Sequence, residues 1–363
     1  MSHRILIVGA GLTGLALASG LHRRGLDPLV VEQAPIITEA GWAIGLSKRH
    51  LVALDRLGIT GRERWGGYKS DRTLVFDGRT GVVEHVLEDS PVMFNRSNLQ
   101  LSLLEGVAGL VRTGVRPSAL TDHGDSVEVE FDDGRRERFD AVIGCDGINS
   151  WTRLQALGGP EATYTGTAEL RFQAPNPDPG LTVTAVATGG DATLAYFLMD
   201  EGTKLQGIMF LHGPENNRRE LTLAQLADRF PAVAGPLIPL MEIMRTTNPP
   251  SFYTNVRQAV VDTWVRNRVA IAGDAAHAMT TVVGQGAGAG FEDAALLADL
   301  LTTPHLSIPP ALASFEALRK PEAQFLQRYS HGISKAMSVT TSPRKIFTSD
   351  PGTVSRADEP AAV

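Results

Sequence analysis

Two spacings of apolar residues alternate along this chain, and their order outlines a fold. Residues 4–8 (Arg-Ile-Leu-Ile-Val) contain an unbroken apolar run, the pattern of a strand buried on both faces of a parallel sheet. A helical period follows from Leu12 to Arg24, with Leu15, Ala18 and Leu21 on one face and Gly25 placed to end it. A second run, Pro28 to Val31, leads into Glu32 and completes a βαβ opening. Helices are predicted over 50–57 and from Leu99 to Leu110. Alternation around Asp133-Gly134 predicts a hairpin from Val127 to Phe139, and Ala141 to Cys145 is again a buried strand, ending at Asp146.

From Thr167 to His212 the period shortens to two. Glu169–Gln173, Leu181–Ala187, Thr193–Met199 and Leu205–Leu211 alternate between turn residues, which predicts an antiparallel sheet. Helical patterns follow at 222–230 and 236–244, then a buried strand at Val269–Ala272 and helices at Ala287–Leu301 and Pro310–Tyr329. From Thr340 the chain is polar and rich in Pro and Ser, so residues 340–363 are expected to be disordered.

Composition narrows the class. The chain has 363 residues, 43% hydrophobic and 20% charged, with a net charge of −6. That is room for two cores, with no basic stripe for nucleic acid. Cys145 is the only cysteine, which excludes an internal disulfide and a dithiol redox pair. The apolar N-terminus with Ala16-Leu17-Ala18 imitates a signal peptide, but strand, glycine turn and helix explain it better. No other apolar stretch is long enough to span a membrane, so a cytoplasmic protein is expected.

Three motifs carry chemistry. Gly9, Gly11 and Gly14, with Leu12 and Thr13 between them, form a dinucleotide fingerprint after a strand and at a helix start. The helix N-terminus offers free N–H groups to a pyrophosphate. Glu32, 23 residues after Gly9, is placed to accept ribose hydroxyls and disfavours a 2′-phosphate there. Asp146-Gly147 ends a second buried strand. Gly273-Asp274 ends a third, where Asp274 can bind the sugar-alcohol chain of a flavin. Ten residues on, Gly284-Gln285-Gly286-Ala287-Gly288 opens a helix whose small residues let its N-terminus approach a planar ring and stabilise charge on reduced flavin. No metal site is read.

With these motifs in place, the chain resembles the class A flavoprotein monooxygenases of the para-hydroxybenzoate hydroxylase fold, from residue 4 to about 330. The likeness rests on the glycine fingerprint, on Asp146-Gly147-Ile148-Asn149-Ser150-Trp151-Thr152-Arg153, and on Arg268 through His277. Arg96 with Leu99 matches the family's Arg-x-x-Leu, and residues 286–290 look most like the salicylate hydroxylase branch. The resemblance implies an α/β fold. A discontinuous Rossmann-like FAD-binding domain (1–68, 96–165 and 266–335) would carry an inserted, mainly antiparallel substrate domain (69–95 and 166–265) and C-terminal helices. It implies FAD as cofactor, NAD(P)H as co-substrate, and oxygen transfer from a flavin C4a-hydroperoxide to an aromatic or similar electron-rich small molecule. Gly45 and Arg96 join the expected cofactor contacts. The partners implied are a small-molecule substrate and O2, with the protein a monomer or homodimer. Three positions depart from the family: Thr281 stands for a proline, Gly288 for a frequent asparagine, and Lys48-Arg49 for Pro-Asn.

No motif marks the catalytic group. His212 is a candidate base, with Tyr196 on a neighbouring strand and Arg171 as a carboxylate anchor. A flavin-dependent oxidase or dehydrogenase on the same scaffold is the alternative reading. A non-catalytic nucleotide-binding regulator would leave Gly273-Asp274 unexplained.

Overall fold

The computed structural model describes residues 3–37, 42–78, 80–189, 192–228 and 235–339. The tail expected to be disordered lies outside the described residues.

Ile5–Val8 is buried at every position, as its unbroken apolar sequence requires, and lies inside a six-stranded sheet. The order is Val265–Arg266, Val269–Ile271, Ala141–Gly144, Ile5–Val8, Leu29–Glu32, Val111–Thr113. All neighbours are parallel except the first two, which form an antiparallel pair. The carboxyl ends of three adjacent strands therefore deliver Gly9, Asp146 and Gly273 side by side, although they are far apart in sequence.

The second sheet has seven strands, ordered Ser251–Gln258, Thr163–Pro175, Lys204–His212, Ala192–Met199, Thr184–Gly189, Thr73–Asp77, Val83–Leu87. Its neighbours are antiparallel except Thr184–Gly189 with Thr73–Asp77. Alternation gives it two unlike faces. Leu170, Phe172, Leu194, Tyr196 and Met209 pack against the helices Leu223–Ala227 and Ile238–Thr246. The other face carries Ala195, Ile208 and Phe210, which meet Tyr329, Ile333 and Met337 of the long C-terminal helix Ile308–Val339.

Several boundaries differ from the sequence pattern. The helix expected from Leu99 starts at Arg96 and ends at Glu105, because Asn95 caps it by accepting from the Ser97 and Asn98 N–H groups at 3.1 and 3.4 Å. The last helix runs past Pro321 to Val339 as one element. The strands Ala43–Leu46, Tyr68–Lys69 and Val92–Asn95 form a small sheet that no periodicity announced, since each is only two to four residues long.

Candidate active site

The N-terminal turn is shaped by contact. Gly9 has φ +103°, and a Cβ there would lie 2.5 Å from the Cys145 carbonyl oxygen on the next strand. A Cβ on Gly14 would lie 2.0 Å from the Gly9 oxygen. Gly11 is different: nothing lies within 4 Å of where its Cβ would be. The helix Leu12–Arg23 begins there with no side chain capping it. Open space beside uncapped N–H groups is what a pyrophosphate needs. Leu12 packs into the core below. Glu32 accepts from the Ala10 and Ala34 N–H groups, one on each oxygen, both at 2.9 Å. Each oxygen keeps a lone pair for a ribose hydroxyl.

The motifs interlock. Thr13 Oγ1 lies 2.5 Å from the point a Gly273 Cβ would occupy, so the first and third motifs touch directly. Asp146 binds within its own loop, accepting from Ser150 Oγ and from Thr152 N and Oγ1 at 2.9 and 3.0 Å. Arg153 is fully buried and donates to the carbonyls of Ile148, Pro160 and Ala275. It thereby fixes the Asp146 loop to the turn that carries Asp274.

Asp274 is exposed at the mouth of this turn, at the start of the short helix Asp274–His277. Arg96 lies within range of both Asp274 and Arg171; burial lowers its pKa and Asp274 opposes the shift. Arg96 also donates to Gln100 at 3.2 Å, and Gln100 donates to the Ala10 carbonyl at 3.1 Å. The loop then passes Gly284, which has φ +64°, and enters the helix Gly286–Leu301, again with no side-chain cap. Gly286 and Ala287 are half-buried at its opening turn. Gly45 lies on the small sheet opposite Met93. Beneath the turn, Asp293 accepts from the Gly273 N–H at 2.9 Å and from Arg319 at 2.8 Å, and pairs with His277 at 2.6 Å. Burial pushes the Asp293 carboxyl up, but His277 and Arg319 outweigh it and hold it at about 2.

These features fit FAD: an open glycine turn and uncapped helix for the pyrophosphate, an acid at each sugar, and a second helix N-terminus for the ring. The sequence profile of a family described as FAD binding domain matches residues 2–326. The chain belongs to this FAD-binding family. It is 29% identical over 344 residues to 3-amino-4-hydroxybenzoate 2-monooxygenase PtmB3 of Streptomyces platensis, covering 90% of this chain and 86% of that one. It is 28% identical over 360 residues to 6-hydroxynicotinate 3-monooxygenase of Pseudomonas fluorescens, covering 91% of each. HpxO of Klebsiella pneumoniae, solved with FAD and uric acid, has the same fold, with a TM-score of 0.82 at 22% identity over 97% of this chain and 96% of that one.

The seven-stranded sheet of this FAD-binding protein turns a polar row toward the loop expected to meet the flavin, residues 280–288. Thr167, Glu169, Arg171 and Gln173 alternate along Thr163–Pro175, on the face opposite Leu170 and Phe172. Arg171 pairs with Glu169, and Thr281 of the flavin loop donates to the same carboxylate. Gln206 accepts from the Ala43 N–H, tying the sheet to the strand that carries Gly45. Ile208 and Phe210 lie opposite Arg171 and Glu169 on the neighbouring strand, and Phe197, Val282 and Val283 add apolar wall.

Of the three candidate catalytic residues, only Arg171 reaches this cluster. His212 lies farther along the face, bonded to Thr167 at 3.2 Å, while Ser334 of the long helix bonds to Thr167 at 2.9 Å. Burial lowers its pKa to about 4, so it is neutral near pH 7 and a weak base. Tyr196 is fully buried on the opposite face, and burial raises its hydroxyl out of reach of neutral pH. Glu169 is the residue that sequence reasoning missed. Its signal was present: it alternates with Arg171 on one predicted strand face.

A second contact links two departures from the family. His50, one residue after Lys48-Arg49, is only 1% exposed and packs on Gly288; a Cβ there would lie 2.2–2.3 Å from three ring atoms. The Ser47 N–H donates to His50 Nδ1 at 3.2 Å. Burial lowers this imidazole to about 4 as well, with Glu292 opposing the shift. Arg49 meanwhile pairs with Glu292 at 2.5 Å.

No helix among the described residues is long and apolar enough to cross a membrane, and no group of acids, histidines and cysteines among them is suited to a metal.

Proposed function

We propose that this chain is an FAD-dependent monooxygenase that uses NAD(P)H and O2 to hydroxylate a small aromatic substrate. The relatives named above, two of them monooxygenases of substituted aromatic acids, support the class. One observation carries the reading to this site: Glu169, on the substrate sheet, accepts from Thr281 of the flavin loop and pairs with Arg171, which lies within electrostatic range of Arg96, as Asp274 does.

Gly11, Glu32, Arg96, Asp274 and the opening of the helix Gly286–Leu301 would hold FAD. Bound there, FAD supplies the hydride acceptor and the oxygen-activating centre. The protein does the rest. Arg171 anchors an anionic substituent and sets the ring's distance from the flavin loop. Phe197, Ile208, Phe210, Val282 and Val283 keep water from the reacting edge. Glu169 holds Arg171 in place. The protein would act as a monomer or homodimer.

The test is reconstitution with FAD, followed by NAD(P)H and O2 consumption across a panel of hydroxy- and aminobenzoates. The expected result is an aromatic that speeds NAD(P)H oxidation and gains one oxygen by mass spectrometry. Stoichiometric peroxide with every compound, and no oxygenated product, would overturn it in favour of an oxidase.

A further inference from the structure

The loop that faces the flavin carries one hydroxyl aimed at the substrate sheet. Thr280 turns away and bonds to Ser330 of the long helix. Thr281 is exposed and donates to Glu169. Glu169 is 1% exposed, and its other oxygen is taken by Arg171. A buried carboxylate is costly unless paired and hydrogen bonded, and this one is both.

The arrangement fixes polarity. An ionised carboxylate only accepts. The Thr281 proton is therefore committed to Glu169, and the lone pairs of Thr281 Oγ1 are left facing the cleft. A ligand group beside Thr281 must bring its own O–H or N–H.

We propose that Thr281 and Glu169 form a proton relay that binds an ionisable phenol and takes its proton; this rests on the monooxygenase reading above. The substrate O–H bond breaks and its electron pair stays on the substrate oxygen. That proton bonds to Thr281 Oγ1, and the original Thr281 proton bonds to Glu169. No oxidation occurs in the step. Charge also balances within the cleft: the Glu169–Arg171 ion pair becomes neutral Glu169, and Arg171 faces the new phenolate. The ring thus gains electron density without adding net charge to the site. Thr281 is the residue that touches the substrate; Glu169 acts through it.

The test reads ionisation of a bound probe, not turnover. FAD-loaded protein is titrated with 4-nitrophenol, whose phenolate absorbs in the visible, and with 4-nitroanisole, which lacks the donor. In the unmutated protein the bound phenol should ionise at least about one pH unit below the free phenol, and 4-nitroanisole should bind about tenfold more weakly. Thr281→Ser should keep both effects. Thr281→Val, which is nearly isosteric and leaves the Glu169–Arg171 pair intact, should abolish the shift while the flavin spectrum and FAD stoichiometry stay unchanged. A shift that survives Thr281→Val, equal binding of 4-nitroanisole, or no bound phenolate at millimolar probe would each overturn the relay. Loss of FAD from the unmutated protein in the same samples would instead sink the monooxygenase reading.

Discussion

Replacing Gly288 by alanine places one methyl group against the His50 ring, and the sign of its effect follows from the contact. In an unobstructed helix interior, Gly→Ala is worth about 1 kcal/mol of stability. Here the new Cβ would meet Cε1, Nδ1 and Cγ of His50 at 2.2, 2.2 and 2.3 Å. Cγ is held close to the backbone, and Nδ1 is engaged by the Ser47 N–H, so the ring cannot simply swing aside. Overpacking of this kind costs about 1–3 kcal/mol. The net expectation is a loss of about 1 kcal/mol. In a His50→Ala background the obstruction is gone, and the same substitution should stabilise by about 1 kcal/mol, a coupling of roughly 2 kcal/mol. Thermal melts of the four proteins in saturating FAD measure this, with about 1–2 °C expected per kcal/mol for a chain of this length. If Gly288→Ala raised Tm equally in both backgrounds, the packing argument would be wrong.

Other perturbations separate binding from folding. Gly11→Ala should leave the apoprotein's Tm within about 1 °C yet weaken FAD at least about tenfold, whereas Gly14→Ala should destabilise the apoprotein itself; fluorescence titration and melting distinguish them. Asp293→Asn should cost about 3–5 kcal/mol in denaturant unfolding, because it leaves Arg319 and His277 around a buried neutral amide. The Asp293 carboxyl is held at about 2 in the fold, below its ordinary value near 4. Its contribution is therefore complete above about pH 4 and is lost as pH falls toward 2. An acid titration of stability should show a loss of about 2–3 kcal/mol across that window, and Asp293→Asn should flatten it. His212→Ala should keep coupled hydroxylation within about threefold; a loss of 100-fold or more in product formed per NAD(P)H would restore it as the base.

The cofactor half of the fold was legible because its chemistry and its periodicity coincide. Apolar runs at 5–8, 141–144 and 269–271 each end in a motif, and parallel pairing sets those ends side by side. The substrate half was legible as a sheet but not as a site. Alternation told which residues share a face, yet not which face meets the flavin. His212 and Tyr196 were chosen by residue type, and the sheet points one under the long helix and the other into the opposite layer. Glu169 drew no notice because a lone glutamate beside an arginine on a strand reads as a surface pair; its partner Thr281 lies far away in sequence. Gly288 and Lys48-Arg49 were visible as separate departures. Only packing shows them as one, through His50.

The bond from Asp293 to Gly273 and Arg319 also sets an order of biosynthesis. The glycine turn at residues 9–14 leaves the ribosome long before the turn it touches at Gly273, and the aspartate beneath that second turn is paired with Arg319. At about 5–20 residues per second, the nascent chain waits roughly 15–60 s before its cofactor cradle has all its walls. The glycine fingerprint is thus completed by residues made about 300 positions after it. Truncations ahead of Arg319 should yield chains that hold the entire N-terminal fingerprint and retain no flavin.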